Sequence, residues 1–331
     1  MLNKKPSSLS TIISLVVVAA LVGATAWLLL NRQFVLDQIS VWDYHPSASV
    51  VTIEERSGLG GKGLFYFYAS HPEVDSAADF NINCQRREAK SAILGCYNNK
   101  NIYIYNVSNA QLDGIEEVTA AHEMLHAVWD RMSNKDKASV GALLEAQYAR
   151  INDPALKERM AYYDRTEPGE HDNELHSIIG TEVALISPEL EKYYSQYFSN
   201  RSKVTALHTA YNSVFTQLSQ ESDALFAELG ALSTKIDKDK AQYQSDATKL
   251  SSDIAAFNQK ANDGGFTSTT DFNNQRAALI ARSSALDSER TTINAEIKTY
   301  NDKNAQYQAL IVQSEALNKS IDSSVAPAPS L

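Results

Sequence analysis

Cysteine is nearly absent: Cys84 and Cys96 are the only two in 331 residues, and they do not form the C-x-x-C pair of a zinc ribbon or a redox motif. Clustered positive charge is missing too. The formal net charge is −10 with no run of Lys and Arg, which argues against nucleic acid as a partner. A phosphate loop is also lacking. The glycine-rich stretch Ser57 to Gly63 has no G-x-x-x-x-G-K-S/T, so it reads as a flexible turn between strands.

One long stretch lacks charge altogether. Leu9 to Leu30 is a run of 22 residues, enough to cross a bilayer as a helix. Lys4 and Lys5 precede it, and the positive-inside rule keeps the N-terminus in the cytoplasm and exports everything after Arg32. The competing reading is a cleaved signal peptide, because Ala24-Thr25-Ala26 has the form of a cleavage site. Trp27 to Leu30 continue the apolar run past that cut and favour an uncleaved, single-pass anchor over residues 1–32 in the cell membrane. An exported body meets an oxidising compartment, which predicts a Cys84–Cys96 disulfide. Residues 33–49 read as a juxtamembrane connector.

From Val50 the texture is β-rich: Val50 to Ile53 and Leu64 to Tyr68 read as strands, and Ala92 to Tyr97, Asn98 to Asn101 and Ile102 to Val107 as strand, turn and strand. Directly after comes His122-Glu123-Met124-Leu125-His126, an H-E-x-x-H. Ile115, Val118, His122, Leu125, Trp129 and Met132 recur at helical spacing, so both histidines lie one turn apart on one face, where two imidazoles can converge on Zn²⁺. Glu123 stands beside them as a general base for a water on the metal. Asp113 and Glu116 suggest a capping box for this helix, and Ser133 a break after it. Asp130 is a candidate hydrogen-bond partner for a ligand imidazole.

Two histidines leave a zinc site incomplete. His122-Glu123-x-x-His126-Ala127-Val128-x-Asp130 together with Asn173-Glu174-x-x-Ser177 resembles the active-site and third-ligand helices of gluzincins, the thermolysin-like zinc metallopeptidases. The resemblance covers about a third of the chain. It implies Glu174 as third ligand, in the first turn of a helix starting near Asp172; Glu182 and His176 stand as alternatives. It also implies a zincin-like α+β domain, a small antiparallel sheet plus helices over residues 50–202, whose edge strand aligns a peptide substrate. His176 and His171 are candidates to stabilise an oxyanion. The metzincin pattern does not fit, because Trp129 and Met132 occupy the positions of its glycine and third ligand.

Beyond about Val204 the composition turns to Ala, Ser, Gln, Lys, Asp and Asn. Leu225, Leu229, Leu232, Ile236, Tyr243, Leu250, Ile254 and Phe257 form one heptad-like stripe. After the break at Gly264-Gly265, Leu279, Leu286, Ile293, Tyr300 and Tyr307 form another. Residues 203–322 therefore read as an antiparallel coiled-coil hairpin able to bind a protein partner, and 323–331 as a disordered tail. The expected whole is a membrane-anchored, extracytoplasmic zinc endopeptidase. The alternative is a non-catalytic envelope scaffold or adaptor acting through its coiled coil.

Overall fold

The computed structural model describes residues 8–84 and 93–324, and the chain is 78% helical with 5% strand. The expected α+β class is overturned: the described residues are mainly helical, with three short strands among them. The error lies in residues 50–68. Those two β-rich runs are the helices α3 (Ala48–Ser57) and α4 (Gly61–Ala69), following α1 (Ser8–Leu30) and α2 (Arg32–Asp43). Ser47 caps α3 by accepting from the Val50 N–H, Gly58 ends it in the left-handed region at φ 74°, and Val50, Ile53 and Ser57 are buried at a spacing of three and four. Caps and burial period outweigh the strand preference of a few β-branched residues.

Next come β1 (Glu73–Asp75), α5 (Ala77–Asn83), β2 (Gly95–Asn98) and β3 (Asn101–Tyr105). The expected hairpin is β2 and β3, paired antiparallel with Cys96 opposite Tyr103 and turned at Asn99 and Lys100, both at positive φ. β1 joins β3 in parallel, so the sheet is mixed, with order β1-β3-β2. The Cys84–Cys96 disulfide ties the end of α5 to β2.

The core is built around α6 (Ile115–Arg131), which buries Ile115, Val118, Ala121, Met124, Leu125, Val128 and Trp129. Gly114, in the left-handed region, stands at its N-cap in place of the expected Asp113 box. The Asp113 carboxylate instead pairs with Arg56, and Glu116 accepts from the Val107 N–H at 2.7 Å. Then follow α7 (Asn134–Tyr148), α8 (Pro154–Thr166), α9 (His171–Glu182) and α10 (Pro188–Tyr194), each of which except α9 has a Ser or Asp side chain capping its N-terminus. α9 lies tightly on α6: a Cβ on Gly180 would fall 2.4 Å from Leu125 Cδ1, closer than any side chain allows. Arg201 fixes the far end of α9, donating to the Val183 and Ala184 carbonyls at 2.7 and 3.0 Å.

α1 is uncharged over Ile12–Leu30, long and apolar enough to cross a membrane, and not buried within the protein. Lys4 and Lys5, on which its expected orientation rests, lie outside the described residues. α2 follows after Asn31 and is held by polar contacts: Arg131, at the end of α6, grips Asp37 with two hydrogen bonds of 3.0 and 2.9 Å, both side chains almost wholly buried.

The last two helices, α11 (Arg201–Asn262) and α12 (Thr269–Ile321), pass through two compact units. The first comprises residues 1–214 and 317–331, the second residues 215–316. The arm is thus shorter than the expected 203–322. Val204 and Thr205 are buried at the start of α11, and Leu317 is buried near the end of α12. Asn109 donates to Ser320 Oγ, and Ser323, expected in the tail, bonds to Asn81. The rest of that tail, 325–331, lies outside the described residues. The second unit is a hairpin of two long helices, with Leu229, Ile236, Leu250 and Ile293 buried. Arg282–Asp253 and Lys235–Glu296 pairs cross it, and Phe257, Phe266 and Phe272 pack together by the turn.

Candidate metal centre

His122 and His126 stand one turn apart on α6, ring centroids 4.8 Å apart. Across from them, in the first turn of α9, is Glu174, 7% exposed. One carboxylate oxygen lies 3.7 Å from His122 Nε2 and the other 3.6 Å from His126 Nε2. These distances are too long for hydrogen bonds. They are near the roughly 3.4 Å that separates neighbouring donors around a tetrahedral ion with bonds of about 2.0–2.1 Å. Two imidazoles and one carboxylate also form a donor set suited to zinc. His122, His126 and Glu123 bring one ligand atom each within 4.8 Å of one another and could hold a metal ion, and Glu174 turns one oxygen to each histidine as a candidate further ligand.

Asn173 supports this set, its Oδ1 3.0 Å from His126 Nδ1 and its amide nitrogen donating to Glu170. That contact leaves Nε2 of His126 to face Glu174. Glu123 is 6% exposed, and one carboxylate oxygen lies within 4.8 Å of the imidazole nitrogens. The Tyr97 backbone on β2 acts to lower its pKa against the larger effect of burial. Gly95, also on β2, makes that approach possible: a Cβ there would fall 2.9 Å from Glu123 Oε1 and 2.5 Å from Thr119 Cγ2.

The electrostatics are those of a charged cluster out of water. Burial raises the Glu123 carboxyl above its ordinary value, with His126 and His122 pulling against it. Burial also acts to raise Glu174, but His126, His122 and Arg159 outweigh it, and its pKa is lowered. For His122, burial opposes the charged ring, yet Glu174 and Glu123 raise its pKa.

The other expected site residues fall elsewhere. His176 is 0% exposed, its Nε2 2.9 Å from the Tyr193 hydroxyl and its ring packed among Trp129, Tyr193 and Tyr194; burial pulls its pKa down to about 3. A neutral ring so enclosed cannot reach a substrate oxyanion, and the catalytic role expected of it is withdrawn. Glu182, the alternative ligand, is taken by Arg159 and by His208 Nε2 at 3.4 Å. Asp130 accepts from the Tyr97 hydroxyl instead of a ligand imidazole. His171 is clamped between Asp164 and Glu145, at 2.7 and 2.9 Å. Sequence reasoning missed Asn173 as the partner of His126. It also missed Arg159 and Tyr163 on α8; the Tyr163 phenol is pushed up by burial and then by the charge of Glu174. Asn173 stands in the Asn173-Glu174-x-x-Ser177 pattern, which does not tell its part toward His126, and no motif marks Arg159 or Tyr163, whose place depends on how α8 and α9 pack.

No family model matches this chain, and neither a curated protein nor a solved structure matches it significantly.

Proposed function

We propose that the protein is a membrane-anchored, zinc-dependent endopeptidase of the gluzincin type, with its hydrolytic domain outside the cytoplasm. The observation that carries this reading is the convergence of His122 Nε2, His126 Nε2 and both Glu174 oxygens at 3.6–3.7 Å, with Glu123 alongside. When bound, zinc supplies Lewis acidity and brings the pKa of a coordinated water toward about 7. Glu123, its carboxyl raised by burial above the ordinary carboxylate value, would accept a proton from the attacking water and pass it to the departing amine. Asn173 holds the His126 ring in place.

Two features favour a peptide as substrate and the outside as the compartment. Among the described residues β2 is an edge strand beside Glu123, so an extended peptide can pair with its free edge. The Cys84–Cys96 bond suits an oxidising compartment, as does the charge pattern around α1. The hairpin arm, with Phe226, Ile280 and Val312 exposed, is the surface offered to a protein partner.

The test uses the full chain in detergent, with zinc measured by elemental analysis and cleavage by unfolded protein substrates. Glu123→Gln keeps the metal and loses cleavage by about a hundredfold or more. Glu174→Gln lowers zinc affinity much further than Glu182→Gln does. Release of zinc by Glu182→Gln but not by Glu174→Gln would refute the ligand set. Zinc bound by a wild-type chain that cleaves nothing would leave the scaffold reading instead.

A further inference from the structure

Helix α2 is built inside out. Its inward face is polar: Asp37 is gripped by Arg131, Gln33 donates to Asp37 at 3.0 Å, and Ser40 donates to the Ala69 carbonyl at 2.9 Å. Its outward face is apolar, with Phe34, Leu36, Ile39 and Trp42 exposed by 51, 47, 51 and 72%. At 100° per residue these four span an arc of about 200°, while Gln33, Asp37 and Ser40 fall together on the opposite side. Within the domain this outward face meets the Phe65 ring of α4, on which Phe34 stacks at 5.7 Å, and that contact still leaves half of Phe34 exposed. Its four large exposed side chains call for a cover outside it.

We infer that this outward face of α2 lies on the surface of the same bilayer that α1 crosses, seating the domain on lipid at the headgroup boundary. The inference rests on α1 being a membrane span. Only Asn31 separates the two helices, so the twelve residues of α2 begin where the apolar run ends. Twelve residues are about 18 Å of helix, a fair length for an element lying in the interface. Trp42 and Phe34 are residue types that settle at that depth, and Arg32 at one end can reach lipid phosphate. Asn31 departs from helical geometry at φ −109° and ψ 25°, which gives the chain a point at which to change direction between span and surface. A second copy of the chain or another membrane protein on this face would leave unexplained why it begins at the end of the span.

The three tryptophans make the test direct. Trp27 lies in the span, Trp129 in the core and Trp42 on the face in question. The full chain is placed in lipid nanodiscs containing lipids brominated near the headgroup end of the acyl chain, and separately in lipids brominated near its middle. In a Trp27→Phe background, shallow bromines are expected to quench emission that disappears on Trp42→Phe, and that emission should resist aqueous acrylamide. Trp42 emission open to acrylamide and untouched by either lipid overturns the inference. Emission shielded from both places a second copy on the face and overturns it equally. Trp27, read in the Trp42→Phe chain, is the control for the span: quenching of Trp27 without quenching of Trp42 defeats this inference alone. If deep bromines leave Trp27 unquenched, the anchor reading fails and this inference fails with it.

Discussion

A single missing methyl group at Gly95 sets how closely β2 approaches the Glu123 carboxylate. A Cβ there would meet Thr119 Cγ2 at 2.5 Å and Glu123 Cγ and Oε1 at 2.9 Å, so Gly95→Ala has to displace the Glu123 side chain. The expected result is a fall in turnover of about tenfold or more, some 1.4 kcal/mol of barrier, with zinc content unchanged because no ligand is touched. Gly230→Ala, with nothing within 4 Å, is the control. Equal turnover in the two variants would show that Glu123 does not depend on this contact. The same scale decides what the sequence made legible. His122, Glu123 and His126 follow from helical period alone, and Glu174 from its place in a motif. Gly95 and Asn173 act across tertiary contacts, and neither the strand pattern around Gly95 nor the motif that contains Asn173 tells which residue each one meets. The burial of His176 is likewise a tertiary matter, since its ring is enclosed by Trp129 of α6 and by Tyr193 and Tyr194.

At the scale of elements, His171 joins three helices at one imidazole, taking Asp164 from α8 and Glu145 from α7 at the start of α9. Burial opposes its charge, but Asp164 and then Glu145 outweigh it and raise its pKa above the usual 6.5. A folded pKa above the unfolded one means that this stabilisation is complete below about pH 6.5 and is lost as pH rises through the folded value. His171→Ala is therefore expected to cost about 1 kcal/mol near pH 5.5, with the gap to wild type closing by about pH 9. Urea unfolding of both chains across that range measures it, and a gap that stays constant or widens with pH contradicts the clamp. Elements were also where sequence reading was least secure. Ser47 and Gly58 bracket α3 as plainly as Ser187 and Pro188 open α10, but the β-branched run between them was given more weight than its caps. The hairpin of β2 and β3 was read correctly because turn and strand signals agree there.

For the whole molecule, the arm is an insertion and not an appendage. The first unit gives up the chain at Val214 and takes it back at Leu317, which is 1% exposed, followed by Ser320 and Ser323 with their bonds to Asn109 and Asn81. Replacing residues 215–316 by a short Gly/Ser linker should therefore leave zinc binding and the urea midpoint close to those of the parent. Stopping the chain after Val214 removes the returning segment and should cost about 1.5–3 kcal/mol for Leu317 alone. Equal stability of the two shortened chains would show that the returning segment contributes nothing. The sequence located the turn of the hairpin at Gly264-Gly265 but not its roots, because a heptad stripe runs on unbroken whether its neighbour is the other arm or the domain.

This return also sets an order in time. Asn81 and Ser323 are 242 positions apart, and the arm separates them. A ribosome adding roughly 5–20 residues per second needs about 5–20 s for the hundred or so residues between Val214 and Leu317. Through that interval His122, Glu123, His126 and Glu174 have all been made, while the segment that closes their domain has not. Folding of the first unit thus waits on a contact of very long range, which loop-closure entropy makes slow in any case. The domain reaches its final packing only after the whole arm has been made.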